Sequence, residues 1–302
     1  MNQTYKHWGL SPASELNQAI SRLPKATMLT LWADPFPLTE GSPYEEVSSF
    51  RAIRVENSIG QIKYVACTSP KYRLVQHEEA FRPIIEGLTL AGLDQYSFCL
   101  NSDHKKAKLQ VYAAGEMIDS VRIGFSVVNH FDGQHAIHYG FRMKRSQKSL
   151  ELVGYRQVCS NGMKIRVPLD KAEIIRPEIR ERITVLFSES AKINHTASAE
   201  QKLKALQYAT EAISLLQEPV RVMIERAQKW TFDEEGQVKL LVKKHIGKRF
   251  AGRVLEQFKM ESQDLWGLYN AVTSVASHDA DISSSAQEKL LDKAATLLLE
   301  VV

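Results

Sequence analysis

The chain has 302 residues, 44% of them apolar and 25% charged, with 15 glycines and 10 prolines. Those proportions exclude a disordered, fibrous or low-complexity chain and leave an ordinary globular one. The net charge is +4, and it is uneven: residues 1–100 hold 9 Lys and Arg against 10 Asp and Glu, residues 101–166 hold 11 against 5, and residues 167–302 hold 19 against 20.

In chain order, Ser11 before Pro12 reads as a cap and first position of a helix reaching Leu23. Pro24, Pro35, Pro37 and Pro43 mark 24–43 as an extended connector. FRAIRVEN (50–57) and QIKYVACT (61–68) read as a hairpin closed at Asn57–Gly60. Phe81, Ile84, Ile85, Leu88 and Ala91 have helical spacing, with Gly92 as the stop. KAKLQVYAA (106–114) and SVRIGFSVVNH (120–130) alternate apolar with polar, Asp132-Gly133 signals a hairpin, and 134–145 and 150–158 continue the pattern. This is an antiparallel meander with one apolar and one basic face.

From Pro177 the period becomes helical, over 177–193, 199–217, 220–230, 236–257, 262–277 and 283–300, with Pro219 as a break. Strands and helices are segregated, so the expected fold class is α+β: a central antiparallel β-meander, flanking helices and a C-terminal helical block. The expected divisions are 1–43, an N-terminal helix and connector; 44–175, the sheet core; and 176–302, the helical region. The terminal LLLEVV either docks on its own domain or joins a subunit interface.

The charge surplus carries the functional expectation. Strand alternation projects Lys106, Lys108, Arg122, Arg142 and Lys144 from the basic face, with Tyr112 and His138 among them. Cations beside flat rings suit single-stranded nucleic acid; the alternative is a plain solvated sheet face. A second concentration, KLLVKKHIGKRFAGR, holds Lys239, Lys243, Lys244, Lys248, Arg249 and Arg253 without an acid. On one helix its i,i+4 pairs repel by roughly 0.2–0.5 kcal/mol each, which an anion would relieve. Acids elsewhere, such as Asp233–Glu235, are the other way to balance it.

Enzyme signatures are missing from the sequence. There is no GxxxxGK[ST], GxGxxG, GxSxG or HExxH. His130, His135 and His138 cluster near Asp132, but strand parity sends 135 and 138 to opposite faces, so no metal and no cofactor is expected. Cys159-Ser160-Asn161-Gly162 reads first as a turn ending a strand, and no catalytic residue is assigned. The N-terminus lacks a signal-peptide layout and no apolar run is long enough to span a membrane, so a cytoplasmic location is expected.

TSPKYRLVQHEEAF (68–81), VVNHFDGQHAI (127–137), YRQVCSNGM (155–163) and DLWGLYNAVTSVASH (264–278) resemble the prokaryotic family labelled "phage/plasmid-like protein", a domain of unknown function. The likeness spans roughly 60–278. It implies a mobile-element setting and supplies no catalytic residue. Asn129, Asp132 and Asn161 form a polar cluster if the two Asn/Asp-Gly loops lie at the same end of the sheet. The leading expectation is a homo-oligomeric protein of a mobile element that binds single-stranded DNA, or RNA, and assists annealing or protection without hydrolysing nucleotide. The other classes are a structural, partner-binding module and an enzyme using Asp132, Cys159 or the histidines.

Overall fold

The structure, a computed structural model, describes every residue except 1–2, 34–44, 91–94, 114–119, 133–136, 138–141, 145–147, 157–160, 192–197, 233–234 and 280. The chain makes two compact units from separated stretches: 1–111, 126–140 and 190–207 in the first; 112–125, 141–189 and 208–302 in the second. Both sides of residues 43 and 175 therefore lie within single units. Helices and antiparallel sheets are segregated, and the fold class is α+β.

In the first unit, β1 (Gln3–Pro12) pairs antiparallel with β5 (Gln95–Ser102). Next come β6 (Lys106–Ala113) and the later half of β7 (Val121–His130). A smaller sheet runs β2 (Lys25–Ala33), β3 (Glu45–Glu56), β4 (Ile62–Thr68). Its β3–β4 turn is built as the sequence expects. The Asn57 side-chain oxygen accepts from the N–H groups of Ile59 and Gln61 at 3.2 and 2.8 Å. Gly60 takes φ +77°, open to glycine at no steric cost. The inner face of this sheet sets Ala26, Ile53 and Val55 against Phe131. On edge strand β2, the Gln76 amide bonds both the N–H and the C=O of Ala26, at 3.0 and 2.8 Å, standing in for a neighbouring strand. Two helices complete the unit's core, α1 (Ala13–Ser21) burying Leu16 and Ile20, and α2 (His77–Leu90) burying Phe81, Ile84 and Leu88.

Two expectations change here. Ser11 and Pro12 end β1, and the helix begins at Ala13. The region expected as a connector contains β2, because KATMLTLWA is rich in strand formers and its prolines flank it. Strand β5 gives no alternation to read, since Ser97, Phe98, Cys99 and Leu100 are all buried and both faces are covered.

In the second unit, β9 (Ser149–Arg156) pairs with the start of β7, with β8 (Arg142–Lys144) and with β10 (Asn161–Pro168). Asn161 and Gly162 open β10 rather than closing a strand. Helices follow: α3 (Pro177–Ala191), α4 (Ala199–Lys229), α5 (Glu235–Leu241), a π turn (Val242–Ile246), α6 (Lys248–Phe258), α7 (Leu265–His278) and α8 (Ser284–Val301).

Helix α4 runs straight through Pro219. The apolar stripe Ala209, Ala212, Ile213, Leu216, Val220, Met223, Ile224 and Ala227 is buried on both sides of it, so packing outweighs the roughly 3 kcal/mol a mid-helix proline costs. The helix expected over 236–257 is instead broken at Gly247, which takes φ +90° after the π turn. Helix α7 starts at Asp264, whose carboxylate accepts from the Gly267 N–H at 2.7 Å, and it is buried all round from Leu265 to Thr273. The terminal LLLEVV docks on its own unit: Leu297 and Leu298 are buried with Leu290, Ala294 and Ala295.

Candidate nucleic-acid interface

In the second unit, Arg166 opposes Glu151, Lys164 opposes Val153 and Arg122 opposes Tyr155, so these residues share one face. That face is not open along β10, and the expected solvated face is corrected there. Helices α7 and α8 lie on it. Arg166, 2% exposed, gives Nε to Glu151 at 3.2 Å, Nη2 to Asp292 at 2.8 Å and Nη1 to the Thr296 hydroxyl at 2.6 Å. Lys164 reaches Asp292 at 3.1 Å and Glu151 at 3.9 Å. Two cations thus meet two carboxylates, and the cluster fastens α8 to the sheet with no charge left for a phosphate. Tyr269 of α7 donates its hydroxyl to the Lys164 carbonyl at 2.8 Å, and burial holds that phenol far above its usual pKa.

Tyr112 is also corrected. It is 1% exposed and tilts against Tyr155 at 5.7 Å, a core ring that no base can reach. Arg122 is half-buried and already engaged. In the first unit Lys106 and Lys108 alternate with buried Ala107 and Leu109 as expected, and both are half-buried. Arg142 and Lys144 sit in register with Glu151 and Ser149. His138 lies outside the described residues, as do His135 and Cys159.

Lys239, Lys243, Lys244, Lys248, Arg249 and Arg253 are all exposed. Lys244 lies 3.7 Å from Glu300, Arg253 pairs with Asp279 and Asp281, and Lys239 is engaged. Lys243, Lys248 and Arg249 face no carboxylate partner among the described residues. Two further exposed cations, Lys289 and Lys293 of α8, share that condition. Lys293 donates to the Ile246 carbonyl at 2.7 Å, which places α8's lysines beside the π turn. Their i,i+4 spacing was legible in the sequence; their position next to 239–253 was not. His245, between Lys244 and Ile246, has its pKa lowered by burial first and by Lys244, against the opposing pull of Glu300.

Exposed rings occur in the first unit. Tyr64 and Phe50 are 69% and 51% exposed on the small sheet, and Arg54 is the register partner of Tyr64. Arg54 pairs with Glu56 at 3.4 Å.

The three polar residues proposed as a cluster fall in different units with separate partners. In the first unit, Asn129 uses both amide hydrogens, one on the Val75 carbonyl at 2.9 Å and one on His77 Nδ1 at 3.0 Å. The His77 ring, 1% exposed, stacks on Phe131 at 3.8 Å. Accepting at Nδ1 assigns the proton to Nε2, which has no partner among the described residues. Asp132 lies 3.6 Å from His130 and, after burial, raises the Tyr72 phenol. In the second unit, the Asn161 side-chain oxygen meets His278 Nε2 at 2.7 Å, and the Gly162 N–H donates to Ser277 at 3.1 Å.

No family model, curated protein or solved structure matches the chain. Among the described residues, no helix is long and apolar enough to cross a membrane.

Proposed function

We propose that the chain binds single-stranded nucleic acid, DNA or RNA, as a homo-oligomeric protein of a mobile element that assists annealing or protection without hydrolysing nucleotide. The supporting observation is the group Lys243, Lys248, Arg249, Lys289 and Lys293: five exposed cations in one unit with no carboxylate partner among the described residues. Side chains left so are suited to a polyanion, because each phosphate they neutralise releases a counterion. The first unit, taken by itself, exposes Tyr64 and Phe50, ring surface of the kind on which bases stack for about 1–3 kcal/mol each. The sheet face at Arg166 contributes nothing to this reading.

Fluorescence anisotropy with a labelled oligonucleotide tests it. Binding at low salt that weakens steeply as salt rises is the expected result. Five neutralised phosphates give a log–log slope of about −3.5. No binding at low salt ends the proposal.

A further inference from the structure

Helix α6 carries two arginines one turn apart, and their surroundings differ. Arg253 lines a cleft of about 330 Å³ that contains its own acids, Glu256 and Asp279, and is paired there. Arg249 lines a separate cavity of about 280 Å³ with Phe250, Ser283, Ser285, Lys289 and Lys293, and no acid is among its walls.

The cavity is shaped by particular contacts. Gly247 at φ +90° turns the chain between the π turn and α6, a backbone that a side chain would strain. The turn lies beside Lys293: a Cβ there would sit at ordinary contact distance, 3.6 Å, from its Nζ. Lys293 spends one of its N–H donors on the Ile246 carbonyl and keeps two. The Arg249 guanidinium carbon lies 5.2 Å over the Phe250 ring, within cation–π reach, and a guanidinium can meet a two-oxygen anion with two N–H groups at once. Ser283 caps α8 through the Ala286 N–H, and the Ser285 hydroxyl lines the same opening.

Three cations and no acid select for charge; the small volume selects for size. A phosphodiester link carries one negative charge, whereas a phosphate monoester carries about −1.5 to −2 near neutral pH. The volume is at the small end for ligand sites, enough for one phosphate with its sugar or a single ring against Phe250. We infer that the cavity lined by Arg249, Lys289 and Lys293 is a binding site for a phosphate monoester, carried by a free mononucleotide or by the phosphorylated end of a strand. The site uses three of the five cations on which strand binding rests, but its ligand is a monoester and its test reads that ligand separately.

Calorimetry and anisotropy on the full chain test it with three probes: inorganic phosphate, deoxyadenosine 5′-monophosphate beside deoxyadenosine, and a 3′-labelled oligonucleotide with either a 5′-phosphate or a 5′-hydroxyl. The monophosphate binds and the nucleoside does not. Arg249→Gln and Lys289→Gln each weaken the monophosphate at least about tenfold, the equivalent of one charge-assisted hydrogen bond. Both residues are exposed, so the variants keep the fold, and unchanged circular dichroism and melting confirm it. Arg249→Lys keeps charge but loses the planar fork and recovers only part of the affinity. A tenfold preference for the 5′-phosphorylated oligonucleotide assigns the ester to a strand end; monophosphate binding without that preference assigns it to a free nucleotide. Failure of the 5′-hydroxyl oligonucleotide to bind would sink strand binding and leave this site standing. The inference is overturned if neither inorganic phosphate nor the monophosphate binds, or if both glutamine variants bind the monophosphate as the parent does.

Discussion

His77 makes the stability of the first unit depend on pH in a calculable way. Its imidazole is buried against Phe131 with Nδ1 committed to Asn129, and burial, followed by the nearby charge of His130, lowers its pKa from 6.5 to about 3. Asp132, just past the end of β7, lies 3.6 Å from His130. Well above pH 6.5 neither folded nor unfolded His77 is protonated, and it makes no pH-dependent contribution. Below pH 6.5 the unfolded chain takes up a proton that the fold refuses, so stability falls as pH falls, down to about pH 3. The single-site linkage gives a loss of roughly 2 kcal/mol at pH 5 and roughly 3 kcal/mol at pH 4. His77→Phe keeps a flat ring on Phe131 and cannot titrate. It leaves the Asn129 amide one acceptor short, a pH-independent cost of about 1–3 kcal/mol. Urea unfolding of both proteins between pH 7 and pH 4 isolates the effect, because all other titrating groups cancel in the difference. The difference between the two stabilities should shift by about 3 kcal/mol in favour of the variant across that range, so the curves meet or cross by pH 4. A constant separation would refute the assignment of a neutral, buried His77.

Two other substitutions test the packing of the second unit. Arg166→Met leaves Glu151 and Asp292 with Lys164 alone and should cost about 3–5 kcal/mol in urea unfolding; replacing Glu151 and Asp292 by leucine and Lys164 by methionine in the same chain, so that no buried charge is left unpaired, should restore most of it. If Arg166→Met alone is neutral, the cluster does not hold α8. At Gly267, an added Cβ would sit 1.8 Å from the Ser262 carbonyl oxygen, so Gly267→Ala must displace the backbone at the α7 cap and should cost on the order of 3 kcal/mol. A variant within about 0.5 kcal/mol of the parent contradicts that close approach.

The parts of the fold legible in the sequence were those where one face meets water. The β3–β4 hairpin, α2, β6 and β7 announce themselves because polar and apolar residues take turns there. Strands β5 and β10 did not, for opposite reasons. In β5 every residue from Ser97 to Leu100 is buried and the period vanishes. In β10 the period is present, but Lys164 and Arg166 face α7 and α8 instead of water, so a pattern that reads as an outer face belongs to an inner one. The same inversion removed Tyr112 from the interface. Sequence can count cations; it cannot say which carboxylate 126 residues away will meet one of them, as Asp292 meets Arg166. The 239–253 stretch keeps several exposed cations with no carboxylate partner among the described residues, because its charges outnumber the local acids. Its helix did not survive intact, since Gly247 breaks it, and that break forms the cavity around Arg249.

Strand binding rests on the unpaired cations of the second unit, and the salt dependence of binding reads them directly. With a labelled single strand, log affinity against log salt should fall with a slope of about −3.5 for the parent and about 1.4 units less steeply for Lys243→Gln/Lys248→Gln, two phosphate contacts fewer. A double variant with the parent's slope, or a parent whose binding ignores salt, would contradict the account.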